Sequence, residues 1–279
     1  MVPINFPRHR QYQTQRIDAN NAVMALLAGS KLAEAVLRLT EGSSQRLAEL
    51  FPQVQHVERL NLKTGEARAI LADAENHVGA MAIPYVLSIH EDYMVGLCTM
   101  LNAAGVLSRS DCENLGPANM HERYEAACNG HFSTDTLRLF HYLRLIRNSQ
   151  IHYAGRVHNS LATYSSSLVN SDAATWGRVT GNPISIYEAG TDLGLTIFEL
   201  IATLAISKRL AEEANEMLQT GLPRQAWLDI LVEDWAATPR RGNRDMKIRN
   251  LFGFARFEYG PLAVTKSEAE AALRAHSIK

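Results

Sequence analysis

Five polar residues in the middle of the chain have the types and the spacing that phosphate chemistry requires. Arg144, Asn148, His152 and Arg156 recur at intervals of four, and Arg147 lies beside them. A histidine titrates near neutral pH and can take the proton from a ribose 2'-hydroxyl, whereas an arginine stays charged and matches two phosphate oxygens with its planar fork. These residue types meet the needs of a metal-independent ribonuclease, in which an arginine stabilises the charge that develops on the phosphorane.

One long helix must position these side chains. No proline occurs from Asp135 to Leu161, and apolar residues recur there at helical spacings: Leu139, Leu143, Ile146, Tyr153 and Val157. At about 100° per residue, Arg147 and His152 lie roughly 140° apart around such a helix, whereas Asn148 and His152 share a face. A single helix therefore does not close a site, and another element must supply the other half.

The segment Arg147-Asn148-Ser149-Gln150-Ile151-His152 resembles the signature of the HEPN superfamily of ribonucleases, an arginine and a polar residue with a histidine a few positions later. The resemblance implies that His152 transfers the proton, that Arg147 stabilises charge and that Asn148 orients them. It also implies an up-and-down helical bundle whose motif helix pairs with a second copy about a two-fold axis. The expected products carry a 2',3'-cyclic phosphate and a 5'-hydroxyl, and phage defence or a toxin role is the usual setting.

One branch of the superfamily does not fit this sequence. Toxins of the HEPN and nucleotidyltransferase pairs carry a tyrosine two residues after the histidine. Here Tyr153 follows His152 directly and Ala154 occupies the toxin position. The chain is therefore not assigned to that branch.

Acidic residues that could support the motif precede it on an apolar helix expected over 80–101. HEPN domains often place an acid there, and the resemblance implies that Glu91 or Asp92 orients the motif. A solvent-facing acidic pair is an equal alternative. We also expect Arg144 to support the site and Arg156 to contact RNA.

Two other interpretations of the motif remain open. A short pattern with few fixed positions also arises by chance, and an arginine or histidine in mid-helix is usually solvated or paired. The domain could also be a catalytically inactive HEPN-like module that binds nucleic acid, a nucleotide or a protein. We favour the catalytic interpretation because a long proline-free helix, an opposite apolar stripe and a polar row occur together.

The whole chain is predicted to be mainly α-helical and to have three parts. These are an N-terminal helical extension over 1–64, the HEPN-like bundle over 65–218, and a small basic C-terminal helical segment over 219–279.

Local signals add detail to this division. Helices are expected to begin after Asp18, after Thr191 or Asp192, and after Thr265, where a capping box is present. Two short β-type runs flank Gly181-Asn182 and predict a small β-hairpin near 177–187.

Basic residues gather near the C-terminus, at Arg240, Arg241 and Arg244, and aromatic residues follow them. Such a mixture can bind single-stranded RNA by phosphate contact and base stacking. One alternative, which we favour, is a basic surface loop followed by a core-packing element. Another is a binding site for an antitoxin or a second subunit.

Composition and missing motifs narrow the function classes. The 279 residues carry a net charge of -1, so no global positive field attracts RNA and a local patch must hold it. Paired cysteine motifs, metal-binding histidine motifs and glycine-rich phosphate loops are absent from the sequence, so no metal or cofactor is expected.

The chain is expected to be cytoplasmic. The N-terminus lacks the apolar run of an export signal, and the most apolar stretch, over 193–206, is too short to cross a bilayer. We expect no membrane contact. The expected partners are RNA, a second copy of the chain and, in a toxin role, an antitoxin or regulatory protein.

Overall fold

The structure, a computed structural model, describes residues 2–238 and 243–276, and these form thirteen α-helices with two short 3-10 helices. The prediction of a mainly α-helical chain is confirmed. The α-helices are Pro7–Arg38 (α1), Leu47–Leu50 (α2), Thr64–Ala72 (α3), Ala74–Ala103 (α4), Arg109–Glu113 (α5), Met120–Cys128 (α6), Thr134–His152 (α7), Asn159–Ser166 (α8), Asn170–Thr180 (α9), Ile197–Gly221 (α10), Arg224–Ala236 (α11), Arg244–Glu258 (α12) and Lys266–Ala275 (α13). The 3-10 helices are Val57–Leu60 and Gly260–Leu262.

Helices α4 and α10 form the centre of the fold. Helix α10 packs against α4, α7, α9 and α6, and α4 packs against α1 as well. One continuous core extends from Ile4 to Leu273 and includes Trp176, Trp227 and Trp235. All three parts of the predicted division therefore contribute side chains to the same core.

Helix α1 begins earlier than the sequence pattern predicted, at Pro7 rather than after Asp18. Proline is favoured in the first turn of a helix because its φ is already helical and its missing N–H has no intrahelical acceptor there. His9 and Tyr12 are buried, so the first turns of α1 also belong to the core. Helix α1 has 32 residues and is therefore about 48 Å long.

The predicted hairpin near 177–187 is wrong. Helix α9 continues to Thr180 and ends at Gly181, whose φ is 75°, and no strand pairing is present across 177–187. Val179 and Thr180 stay helical because Trp176, one turn earlier, is buried in the core. The Ser185 carbonyl instead accepts a hydrogen bond from the Tyr142 hydroxyl at 2.9 Å.

Two helix starts show how local capping sets the boundaries. Helix α10 begins after Thr196, not after the predicted Thr191 or Asp192, because Glu199 accepts from the Thr196 backbone N–H at 2.9 Å. The predicted capping box at α13 is confirmed, since Glu268 accepts from the Thr265 backbone N–H at 2.8 Å.

None of the helices in the described ranges is long and apolar enough to cross a membrane.

A pair of histidines lies in the interior between α4 and α6. His90 and His121 have no exposed surface, and their Nε2 atoms are 2.9 Å apart. One imidazole must donate and the other accept, so one proton lies between the two Nε2 atoms. Burial lowers the pKa of His90 to about 3 and the pKa of His121 well below its ordinary value.

This pair makes stability depend on pH. In the unfolded chain both histidines take up protons below about pH 6.5, whereas in the folded chain they do not. The free energy of unfolding should therefore be highest above neutral pH and should fall as pH decreases from about 7 to 4. Urea unfolding at a series of pH values measures this.

Two variants test whether the pH dependence of stability comes from His90 and His121. His90→Gln keeps a donor towards His121. It should reduce the slope of the free energy of unfolding against pH by the equivalent of about one proton, or about 1.4 kcal/mol per pH unit. His131→Gln removes an exposed histidine outside the pair and is the matched control substitution. A wild-type stability that is constant between pH 7 and 5 would contradict a neutral buried pair.

Candidate active site

The motif helix is shorter than predicted. Helix α7 ends at His152 rather than near Leu161 because Ala154 and Gly155 adopt left-handed conformations, with φ of 51° and 79°. The Gly155 N–H donates to the Ser149 carbonyl at 3.2 Å, which closes the last turn. His152 is therefore the final residue of the helix, and its side chain is exposed.

Backbone hydrogen bonds hold the turn after α7 against the segment that leads to α10. The Leu193 N–H donates to the Gly155 carbonyl at 2.7 Å. The Val157 N–H donates to Thr191, and its carbonyl accepts from Gly190, both at 2.9 Å. The end of the motif helix is thus fixed from outside the helix.

Arg147 forms an ion pair with Glu91 of α4. Both side chains are mostly buried, at 17% and 20% exposure. Burial raises the pKa of Glu91, and the neighbouring Arg147 guanidinium opposes this shift. Glu91 is therefore the predicted acidic neighbour that the structure places on the motif, and it fixes the orientation of the guanidinium.

Arg144 lies one turn before Arg147 in a second polar contact. Its Nε is 3.4 Å from Nδ1 of His141, and Nε2 of His141 is 3.0 Å from a Glu122 carboxylate oxygen on α6. Burial lowers the pKa of Arg144, and the positive charge of Arg147 lowers it further. The polar face of α7 thus combines two arginines with a glutamate from each of two neighbouring helices.

The sequence pattern missed the role of α6. Its His121-Glu122 repeats the His90-Glu91 of α4. In each pair the histidine is buried against its counterpart, and the glutamate contacts α7. The recurrence of His-Glu on two helices is the signal that could have found this arrangement.

The other two motif residues, Asn148 and His152, do not belong to this cluster of arginines and glutamates. Asn148 is half-buried and His152 is exposed. Within the described ranges, no hydrogen bond or ion pair joins His152 to Arg147. Asp92, the other predicted supporting acid, pairs with Arg8 of α1 at 2.9 Å and so anchors the N-terminus rather than the motif.

The surface around His152 is apolar and aromatic. Ile151 and Tyr153 are 51% and 44% exposed. The Tyr153 ring stacks on the His158 imidazole with centroids 4.1 Å apart and an angle of 21° between the rings. Such a stacked pair offers a flat surface for a nucleobase or for a second protein chain.

The four arginines predicted to contact RNA fall into different surroundings. Arg156 lies outside α7, so it does not extend the predicted row, and its Nη1 is 3.5 Å from the Gly190 carbonyl. Arg244 is exposed at the start of α12 and lies 3.4 Å from Glu270. Arg240 and Arg241 lie outside the described residues.

The chemistry that this arrangement can perform uses a cation and an imidazole. Among residues 2–238 and 243–276, no group of three or more His, Cys, Asp or Glu side chains is arranged to hold a metal ion. One chain supplies an oriented, mostly buried guanidinium and an exposed imidazole on the same helix.

Comparison with known proteins adds no further constraint. No family model, no curated protein and no solved structure matches this chain.

Proposed function

We propose that the chain is a metal-independent endoribonuclease of the HEPN type that acts as a homodimer. The observation that supports this best is the ion pair between Arg147 and Glu91. A guanidinium that is already oriented before substrate binds can stabilise developing charge without reorganising. The same helix ends at an exposed histidine, so both groups needed for cleavage belong to one rigid element.

In this proposal His152 and Arg147 have separate roles. The ribose 2'-oxygen forms a bond to phosphorus while the bond from phosphorus to the 5'-oxygen breaks. One His152 imidazole takes the 2'-hydroxyl proton, and the imidazole from a second copy protonates the leaving 5'-oxygen. Arg147 donates to the phosphorane oxygens through N–H groups that Glu91 does not occupy, and Asn148 helps to orient the phosphate.

The second copy completes the cleft. Arg147 and His152 make no contact within one protomer, and exposed Ile151 and Tyr153 beside His152 offer apolar surface for pairing. Helices α4, α6, α7 and α10 would form the HEPN-like bundle. By the same resemblance, the setting is phage defence or a toxin role in the cytoplasm, with an antitoxin or regulatory protein as a further partner.

A catalytically inactive HEPN-like module that binds nucleic acid or a nucleotide is the second candidate. One observation favours it. Glu91 and Glu122 lie close to Arg147 and Arg144, so the positive charge of the cluster is balanced. A module of this kind would keep the fold and bind RNA without cutting it.

Substitution of the two motif residues tests catalysis directly. His152→Ala and Arg147→Ala should each reduce RNA cleavage by about a hundredfold or more, the range for loss of a general acid or base or of a charge-stabilising donor. Arg147→Lys should restore little, because an ammonium does not reproduce the planar fork. Asn148→Ala should have a smaller effect. Cleavage is measured with excess chelator present, because the mechanism uses no metal.

Controls separate chemistry from folding. His131→Ala changes an exposed histidine outside the motif and should cut at the parental rate. Ile146→Asp places a charge at a fully buried position of α7 and should unfold the domain. A His152→Ala protein that is folded, dimeric and as active as the parent would show that the site assignment is wrong.

Glu91→Gln distinguishes the two candidate functions. For a nuclease, loss of the carboxylate leaves Arg147 misplaced, and kcat should fall about tenfold or more, since small displacements of a catalytic group are costly. For a binding module, removal of a negative charge should strengthen RNA binding and steepen its salt dependence.

Asp92→Asn is the matched control for this experiment. It removes the same charge one residue away, where the carboxylate pairs with Arg8 instead of Arg147. Equal effects of the two variants on kcat would show that Glu91 has no special role in positioning Arg147.

The basic segment near the C-terminus is tested by charge removal. Replacing Arg240, Arg241 and Arg244 together with glutamine should weaken RNA binding and flatten its dependence on salt, because fewer counterions are released. Cleavage at saturating RNA should be unchanged. If affinity and salt slope both match the parent, this segment does not bind RNA.

A further inference from the structure

The second half of α1, together with Leu39 directly after it, carries an apolar face that no other part of residues 2–238 and 243–276 covers. Its residues alternate at spacings of three and four, and every one is exposed: Ala22, Ala25, Gly29, Leu32, Val36 and Leu39. Leu32 is 70% exposed and Leu39 is 87% exposed. A regular alternation of this kind is the pattern by which one helix packs along another.

The face is not the one that packs α1 onto its own bundle. Val23, Leu27 and Leu37 of the same helix are buried and supply that contact. The charged side chains of this half are engaged elsewhere, since Lys31 pairs with Glu75 at 3.2 Å and Arg38 lies 3.7 Å from Glu34. Helix α1 therefore has a core-facing side and, opposite it, a second apolar side that faces solvent.

We propose that this face binds the same face of a second copy of the chain, with the two α1 helices antiparallel. The sizes of the residues support self-pairing. In one antiparallel register, Leu39 lies opposite Ala22, Val36 opposite Ala25 and Leu32 opposite Gly29, and each of these pairs occurs twice. All these pairs share one midpoint, between positions 30 and 31, so a single two-fold axis generates them.

Each pair of facing positions in this contact places a large residue against a small one. Facing side chains then interdigitate without voids or overlap. Gly29 fits this arrangement. A Cβ at Gly29 would meet nothing within 4 Å, so the fold of one chain does not require glycine there. In the pair, the missing side chain leaves room for Leu32 of the second copy.

Charge and size also favour a second copy as the occupant. The six positions carry no charge, so two identical faces meet without like-charge repulsion. The face spans about 25 Å of helix. A helix pair of that length buries on the order of several hundred Å² on each partner, which approaches the size of a specific interface.

This contact is independent of the proposed pairing through α7, because it uses a different helix. The two-fold axis passes between the two α1 helices, and Ile151 and Tyr153 have no part in the contact. Loss of nuclease activity in the motif variants would therefore not affect it.

Cysteine cross-linking tests the register. Cys98 and Cys128 are buried and Cys112 is half-buried, so Cys112→Ser gives the background chain. Ala22→Cys together with Leu39→Cys should form a disulfide-linked dimer on mild oxidation. The two positions are about 25 Å apart within one helix, so they cannot join inside one chain.

A mismatched pair is the control. Ala22→Cys with Gly29→Cys places two cysteines on the same face, but positions 22 and 29 are not opposite each other in the proposed register. This protein should remain uncross-linked under the same conditions. Absence of the dimer in the matched pair, or equal cross-linking of both pairs, would overturn the proposal.

Sedimentation of uncross-linked protein gives a second measurement. Leu32→Glu places a charge between the central pair of facing positions, Leu32 and Gly29, and should lower the mass of the assembly by abolishing the α1 contact. Phe257→Glu changes an apolar side chain that is 84% exposed on α12 and should leave the mass unchanged. If Leu32→Glu is folded and sediments like the parent, α1 does not pair with itself.

Discussion

Helix α4 is the element on which the other helices depend, because it is buried on most of its faces and exposed only along one stripe, from His77 to Ala103. It packs against α1, α6, α7 and α10, and Leu87, Met94 and Leu97 have no exposed surface. A helix that is apolar on most faces is not stable alone in water, so α4 requires its neighbours to be in place. The same helix brings His90 and Glu91 into the interior, where each needs a polar partner.

The two partners come from different helices, and this fixes how three helices are aligned. His121 of α6 meets His90, and Arg147 of α7 meets Glu91. Sliding or rotating α6 or α7 against α4 would leave a buried polar group without a partner, which costs more than an equal loss of apolar contact. Arg147 therefore contributes to the packing of α7 whether or not it acts on a substrate.

Sequence periodicity predicted the helices better than their ends. The capping box at Thr265 was predictable because all of its atoms lie within one turn. The end of α7 was not, because the turn that closes it is held by residues near 190. The hairpin was mispredicted because burial of Trp176 outweighs the β-propensity of the residues that follow it.

The candidate site was predictable in part for a related reason. A pattern of apolar residues locates the polar face of α7 and the acids of α4 on the chain. The choice between Glu91 and Asp92 depends on how α4 is rotated, and adjacent residues differ by about 100°. That rotation is set by tertiary packing, as is the contact of Glu122 with His141.

The turn after α7 also restricts how the length of the chain can vary. Surface connections usually accept inserted or deleted residues. The connection before α10 is different, because Gly190, Thr191 and Leu193 form backbone hydrogen bonds with Gly155 and Val157. A single added residue there would shift these backbone hydrogen bonds out of register and move the end of the helix that carries His152. Insertions and deletions should therefore be tolerated only outside 188–193.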